Sequence, residues 1–439
     1  MVYDFIVLGG GISGLYCTYL LLHQFPKKNI LLLEKANAVG GRVYTYSDKY
    51  MTVEAGAGRF SSHHNLLLHL LRELGLNKKI ASISGDSGYA PADGSTPNII
   101  HGKSILSYGY ISKVVQASKR EPVHSLQNIS FLDYAKKILQ PNEVDYITAS
   151  FGYYSELVLM NAHDAIHLMG ELGPTNDFYV LIGGLSQIID KIHAKIDKYA
   201  GSHILCNKTV IDIRARPSTA QTPTIATAIT TTPIIEVYCK ENQRPYLCTQ
   251  CICALPKQVT ENFPICKPYK PLFRQIVCAP LCRIYCTYPL INGKVWFSGL
   301  SKFTTNNNLR MVIPISEEQG VIMISYSDNK YANRWNRLYN TKGVDAVNRE
   351  LAKLIKQSIG IDIPKPLATK VFYWTCGVGY WGIGADSAAF PLHPNKSIPF
   401  YLCGEHYSAK SQQWIEGALE TATRVVSMIM SDHTEFYGL

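Results

Sequence analysis

Asp4-Phe-Ile-Val-Leu-Gly-Gly-Gly-Ile-Ser-Gly14 is the stretch whose reading decides the fold. The apolar run Phe5-Ile-Val-Leu8 is long enough for one buried strand, and Gly9 to Gly14 follows at once with the spacing G-x-G-x-x-G. Leu15-Tyr-Cys-Thr-Tyr-Leu-Leu-Leu22 reads as the apolar start of a helix, and a second run, Asn29-Ile-Leu-Leu-Leu33, ends in Glu34. Each glycine has a physical task in such a unit. Gly9 permits the tight turn, Gly11 lets backbone approach a pyrophosphate, and Gly14 lets the helix pack close on the strand. The free N–H groups at the helix start, around Ile12 and Ser13, and the positive end of its dipole suit phosphates. Glu34, twenty residues after Gly14 and followed by Lys35, is placed to accept hydrogen bonds from a ribose. Strand, glycine turn, helix and acid together predict a Rossmann-type dinucleotide-binding unit.

Bulk properties bound the rest. A chain of 439 residues has room for two or three domains and an ample core. Its hydrophobic fraction of 46% and charged fraction of 17% are ordinary for a soluble globular enzyme. The net charge of +10 comes from scattered lysines and arginines, so it reads as a basic surface, with nucleic acid or an acidic membrane surface only as a weak electrostatic partner. Asp4 interrupts the first apolar run, which is strand-like, and no run approaches the eighteen or so apolar residues of a membrane span. The last residues, 431–439, carry no anchor pattern. The expectation is a soluble, intracellular (cytoplasmic) protein. Twelve cysteines include Cys248, Cys251 and Cys253, and the trio Cys278, Cys282 and Cys286, but no second tight pair or histidine stands at zinc-ligand spacing. No metal is expected, and buried free thiols in a reducing compartment fit better than a disulfide framework.

Further segments narrow the nucleotide. Gly40-Gly-Arg42 follows the acidic strand, then comes Val53-Glu-Ala-Gly-Ala-Gly-Arg-Phe60. Far downstream stand Phe400-Tyr-Leu-Cys-Gly-Glu-His-Tyr-Ser408 and Trp414-Ile-Glu-Gly-Ala-Leu-Glu-Thr421. The set resembles the FAD-dependent amine oxidase family, which includes monoamine, polyamine and L-amino acid oxidases. Gly183-Gly-Leu-Ser-Gln187 and Cys251-Ile-Cys-Ala-Leu-Pro256 are similar to two further segments of that family. The resemblance implies an α/β fold: a discontinuous Rossmann-type FAD-binding domain over residues 1–80, 179–265 and 385–439, and an α+β substrate domain over 81–178 and 266–384. Within the latter, Ser130 to His167 reads as a helical lobe, with Ser130 as a helix N-cap and Phe151-Gly-Tyr-Tyr154 as an aromatic segment. Asn98 to Tyr110 reads as strand-like, Val344 to Ser358 as an amphipathic helix, and the Thr-, Ala- and Pro-rich Arg214 to Pro233 as an elongated hairpin tip or mobile loop.

The resemblance also implies roles. FAD contacts fall on Gly9, Gly11, Ile12, Ser13, Gly14, Glu34, Lys35, Gly41, Arg42, Gly58, Val210, Gly404, Glu405, Trp414, Ile415 and Ala418. Trp414 corresponds to an aromatic residue over the flavin face, and Tyr380 and Trp381 are candidates for the other wall of the substrate cavity. Arg59 matches the arginine that clamps a substrate carboxylate in L-amino acid oxidases; contact with FAD and a structural ion pair are its alternatives. Two departures stand out. Arg283 falls where most of the family keeps a lysine bonded through water to the flavin, and arginine cannot act as a base at physiological pH. Ala385 and Asp386 follow Gly382-Ile-Gly384 where a cysteine would attach FAD, so non-covalent FAD is expected. The implied reaction is oxidative deamination of an amine, with an α-amino acid favoured, and O2 reduced to H2O2. A polyamine or monoamine substrate is the alternative, as is a flavin-binding protein that has lost turnover and serves a structural or interaction role. An NAD-linked dehydrogenase leaves the C-terminal segments unexplained. A homodimer is among the assemblies the resemblance leaves open.

Overall fold

The computed structural model describes residues 1–83, 87–93, 106–171, 177–216 and 233–437. The strand Val2–Leu8, the helix Ile12–Gln24 and the strand Ile30–Leu33 form the unit that the glycine spacing predicts. The two strands run parallel with Leu8 opposite Leu33, and Phe5 to Leu8 and Ile30 to Leu33 are buried. A strand buried on both faces is what an uninterrupted apolar run encodes.

This pair lies inside a seven-stranded sheet assembled from distant segments. Tyr246–Cys253 pairs parallel with Val2–Leu8, and Ser202–Leu205 pairs parallel with Ile30–Leu33. Phe400–Leu402 pairs parallel with the end of Tyr246–Cys253, so the C-terminal Gly404-Glu405 emerges beside the glycine turn. Val210–Arg216 and Ile234–Cys239 pair antiparallel at the edge, with Arg216 opposite Ile234; residues 217–232, most of the segment expected as a hairpin tip or mobile loop, lie outside the described residues. Cys248, Cys251 and Cys253 are fully buried on the central strand, as small hydrophobes.

A second, six-stranded sheet runs in the order Ala368–Trp381, Ile276–Thr287, Val321–Asp328, Met311–Ser316, Phe303–Thr304 and Gly88–Tyr89. The helix Asn329–Ile359 covers it, broken at Gly343, whose φ of 72° is left-handed. Among the described residues, six helices make the lobe: Leu106–Ser118, Val123–Gln127, Phe131–Ile138, Pro141–Ser150, Tyr154–Val158 and Ala162–Glu171. Ser130 caps Phe131–Ile138, accepting a hydrogen bond from the Asp133 N–H at 3.0 Å. Two expectations are corrected. Residues 106–110 are helical rather than strand-like, because Ile111 and Val114 bury a helical face against the lobe; 98–105 lie outside the described residues. And Cys278 and Cys376 form a disulfide rather than free thiols, because the neighbouring strands Ile276–Thr287 and Ala368–Trp381 bring their Cα atoms to 5.2 Å across 98 residues of sequence.

The glycine turn separates steric need from ligand need. A Cβ at Gly14 would lie 2.0 Å from the Gly9 carbonyl oxygen, so that position is closed by packing. Gly11 has φ −71°, and a Cβ there would meet nothing within 4 Å. Gly14→Ala should therefore destabilise the fold by about 3 kcal/mol or more. Gly11→Ala should leave the thermal midpoint of the cofactor-free protein nearly unchanged while reducing retained cofactor. Comparing melting curves with the absorbance of bound nucleotide checks both.

Candidate active site

The nucleotide end is built from backbone and one acid. The Gly10 N–H donates to Glu34 Oε2 at 2.7 Å and the Ala36 N–H to Glu34 Oε1 at 2.8 Å, which holds this buried carboxylate at the mouth of the turn. Gly40 N–H donates to the Gly10 carbonyl at 2.8 Å, and a Cβ on Gly41 would lie 3.2 Å from Gly11 Cα, so the second glycine pair leans on the first. Ser13 Oγ donates to the Ala418 carbonyl at 3.1 Å and ties the first helix to the start of the last, Ile415–Tyr437. Lys208 N–H donates to the Glu34 carbonyl at 2.8 Å, which sets the strand beginning at Val210 beside the acid. Lys35 points outward and is exposed. The open space at Gly11, the helix start and the oriented Glu34 fit a dinucleotide cofactor.

Arg42 and Glu405 meet from opposite ends of the sequence. Arg42 Nη1 donates to Glu405 Oε1 at 2.5 Å and to the Gly377 carbonyl at 2.9 Å. His406 Nε2 lies 2.9 Å from the same Glu405 oxygen, and the Gln413 N–H donates to Oε2 at 2.8 Å. Burial pushes the Glu405 carboxyl up, but His406 and Arg42 outweigh it and hold it down at about 2. Gly404, at φ 135°, donates its N–H to Thr421 Oγ1 at 2.9 Å, fixing this turn on the final helix.

A box of aromatic and cationic side chains lies beyond. Arg59 Nη2 donates to Tyr153 Oη at 2.8 Å, and its guanidinium lies 4.4 Å from the Phe178 ring centre and 5.8 Å from that of Trp414. Phe178 and Trp414 stack at 6.1 Å, and the His64 ring meets Trp414 edge-on at 4.8 Å. Arg283 is buried at 4.7 Å from the Tyr326 ring centre, donates to the Glu54 carbonyl at 3.0 Å, and crowds Gly58, where a Cβ would be 2.9 Å from its Nη1. Tyr153 and Tyr326 meet edge-on at 5.8 Å and so link the two arginines.

Two N–H groups in this box lack acceptors. The Ser61 N–H donates to His64 Nδ1 at 3.1 Å, so the hydrogen of the neutral ring lies on Nε2. His64 Nε2 and Trp414 Nε1 are both buried without a hydrogen-bond partner. Burial first, then the His63 and Arg59 charges, push His64 down to about 4, so it stays neutral near pH 7. On the lobe side, Asp328 accepts from the Tyr154 and Ser155 N–H groups at 3.2 and 2.6 Å, whereas Glu156 Oε2 is buried with no partner. Burial pushes both carboxyls up, and at Glu156 the neighbouring Asp328 charge adds to the rise.

Of the residues singled out from sequence, Arg59, Trp414, Arg283 and Gly58 come together here, and Tyr380 lies buried at the lobe side, packed in the same apolar cluster as Trp414. Trp381 does not join them. Only 1% exposed, it donates Nε1–H to the Ser408 carbonyl at 2.9 Å and packs on Phe390 in the nucleotide-sheet core. The strand alternation explains the difference, since adjacent residues face opposite sides. His64, Phe178, Tyr326 and Glu156 were not singled out. None belongs to a motif, and only the fold brings them to Arg59.

The sequence profile described as flavin containing amine oxidoreductase matches residues 12–430. The chain belongs to that family, and its fold is that of the family. It is similar to flavin-containing amine oxidase A of Equus caballus, 30% identical over 128 residues, or 27% of this chain and 24% of that enzyme. It is also similar along nearly its whole length to an uncharacterized protein of Acanthamoeba polyphaga mimivirus, 23% identical over 515 residues, which spans 99% of this chain and 94% of that protein. In fold it matches wild-type putrescine oxidase bound to putrescine, with a TM-score of 0.76 at 13% identity, covering 98% of this chain and 99% of that one. Among the described residues, no helix is long and apolar enough to cross a membrane.

His64 generates a pH dependence. Its folded value of about 4 lies below the ordinary histidine value of 6.5, so between these pH values the unfolded chain binds more protons and stability rises with pH. The span corresponds to on the order of 3 kcal/mol. His64→Phe should flatten the rise of the thermal midpoint between about pH 4 and 6.5; an unchanged slope would remove His64 as its source.

Proposed function

We propose that the chain is an FAD-dependent amine oxidase, with non-covalent FAD, whose substrate is an α-amino acid. The observation that supports the substrate is the convergence of Arg59 with two acceptorless N–H groups, His64 Nε2 and Trp414 Nε1. Each buried unpaired donor costs about 1–3 kcal/mol, a cost that an arriving anion relieves. The Arg59 guanidinium can hold a carboxylate bidentately. Phe178 and Trp414 would exclude water around the α-carbon. The Ala385 and Asp386 that follow Gly384, together with the pairing of Cys376 to Cys278, favour non-covalent cofactor.

Bound FAD supplies the electron sink for the hydride equivalent that leaves the carbon next to nitrogen. The chain's residues orient the amine in its neutral form and keep the space dry. Arg283 remains charged and donates, so it can hold a water but cannot take a proton from one. The imine product hydrolyses to a carbonyl compound and ammonia, and O2 accepts the electrons as H2O2.

A second reading, a diamine or polyamine substrate, is favoured by the unpartnered Glu156 carboxylate oxygen beside Asp328, which suits a distal ammonium. Anaerobic addition of pooled amino acids, then of putrescine, to FAD-loaded protein separates the readings by which pool bleaches the flavin. Bleaching by neither would favour a binding protein without turnover. Arg59→Leu should weaken carboxylate-bearing substrates by roughly 10–100-fold, the loss of a charged hydrogen-bond pair, and leave simple amines nearly unaffected. Equal losses on both classes would sink the carboxylate clamp.

Arg283 generates a separate expectation. Arg283→Lys should accelerate reoxidation by O2 in stopped flow while changing the anaerobic reductive step by less than about threefold. If neither step changes, the position has no part in the oxygen reaction.

A further inference from the structure

The Cys278–Cys376 bond lies against polar groups rather than in apolar core. Cys376 is buried, and its Sγ is 3.6 Å from His406 Nε2. Cys278 is half-buried, with Gln258 Oε1 at 3.5 Å from its sulfur. The Lys257 N–H donates to His406 Nδ1 at 3.1 Å, so a neutral imidazole carries its hydrogen on Nε2, facing Glu405 at 2.9 Å and the Cys376 sulfur. Arg42 Nη1 lies 3.3 Å from the same nitrogen and donates to the carbonyl of Gly377, the residue after Cys376. The histidine ring is held in place, since a Cβ on Gly379, opposite Cys278 across the strands, would lie 2.7 Å from His406 Cδ2.

The other ten cysteines offer a contrast. All are free, and nine of them are buried. Burial pushes Cys253, Cys282 and Cys286 up to about 12, the behaviour of inert core thiols. The paired cysteines alone combine an outer sulfur that solvent can reach with an inner sulfur that faces an N–H donor.

We propose that Cys278–Cys376 is an exchangeable disulfide, a second redox site that reacts with low-molecular-weight thiols. The thiolate attacks Cys278 Sγ, forming a mixed disulfide there. The Cys278–Cys376 bond breaks, and its electron pair leaves on Cys376 Sγ, which accepts a hydrogen bond from His406 Nε2–H. A second thiolate attacks the external sulfur of the mixed disulfide and releases Cys278. Two external thiols are oxidised to one disulfide, the protein disulfide is reduced to two thiols, and the two protons given up by the external thiols end on Cys278 and Cys376. Because leaving-group stabilisation speeds exchange, His406 is assigned to the inner sulfur. This chemistry needs no flavin and stands apart from the amine-oxidase reading.

The test equilibrates the full-length, FAD-loaded protein in glutathione buffers of varied reduced-to-oxidised ratio, followed by alkylation and mass measurement of the two cysteines. The expected result is a pair that shifts from disulfide to dithiol with the ratio while the protein stays folded by circular dichroism. Cys376→Ser should accumulate glutathione at Cys278, and Cys278→Ser should leave Cys376 at least tenfold less modified. His406→Gln should slow reduction of the pair about tenfold. A pair that stays oxidised in every buffer until the protein unfolds would overturn the proposal in favour of a structural crosslink. Two thiols that never pair in oxidised glutathione would overturn it as well. A His406→Gln protein reduced at the wild-type rate would remove the leaving-group assignment. The wild-type titration decides the exchange question even if a variant fails to fold.

Discussion

The guanidinium of Arg42 is where three remote parts of the chain are forced to agree. It ion-pairs with Glu405, 363 residues away, and donates to the carbonyl of Gly377, 335 residues away. Glu405 hangs from the short strand that joins the nucleotide sheet, whereas Gly377 belongs to the long strand of the second sheet. A carboxylate this deeply buried is tolerable only with its charge matched and its lone pairs occupied, and His406, Arg42 and the Gln413 N–H do that. Removing Arg42 would leave Glu405 an uncompensated buried anion. The interaction therefore fixes the angle at which the second sheet meets the glycine turn, and with it the position of everything mounted on that sheet, Arg283 and the disulfide included.

What could be read from the sequence follows from how local each signal is. The glycine turn and Glu34 were legible because backbone close to a phosphate and helix packed on strand leave few residue choices over thirty residues. Gly14 shows this directly, since a Cβ would meet the Gly9 carbonyl at 2.0 Å. Ser130 was legible for the same local reason. The disulfide was not. Its cysteines are 98 residues apart and look like their buried neighbours until strand pairing makes them adjacent. The segment 106–110 misled because its alternating residues fit a strand, while the partners that make it helical lie in the lobe. Trp381 shows the limit of register: one residue after Tyr380, it turns into the opposite core. His64 gave no signal, because an orphaned N–H exists only once a fold has removed its water.

The electrostatics of the box bear on the chemistry proposed for it. Burial opposes ionisation of both Glu156 and Asp328, and the Asp328 charge opposes it further at Glu156. His64 is held neutral by burial and by the charge of Arg59. With burial opposing charge on the acids and on the imidazole, Arg59 and Arg283 are the cations that face this space. A positive field in a dry space attracts a carboxylate and disfavours an ammonium, and so lowers the pKa of an amine bound beside it. Loss of a hydride from the carbon next to nitrogen requires that neutral amine. In the proposed reading the group that recognises the substrate's anionic end thus also prepares its amino end, without a protein base. A field that favours the neutral amine does so without a proton acceptor at position 283, which leaves Arg283 to hold a water by donating to it.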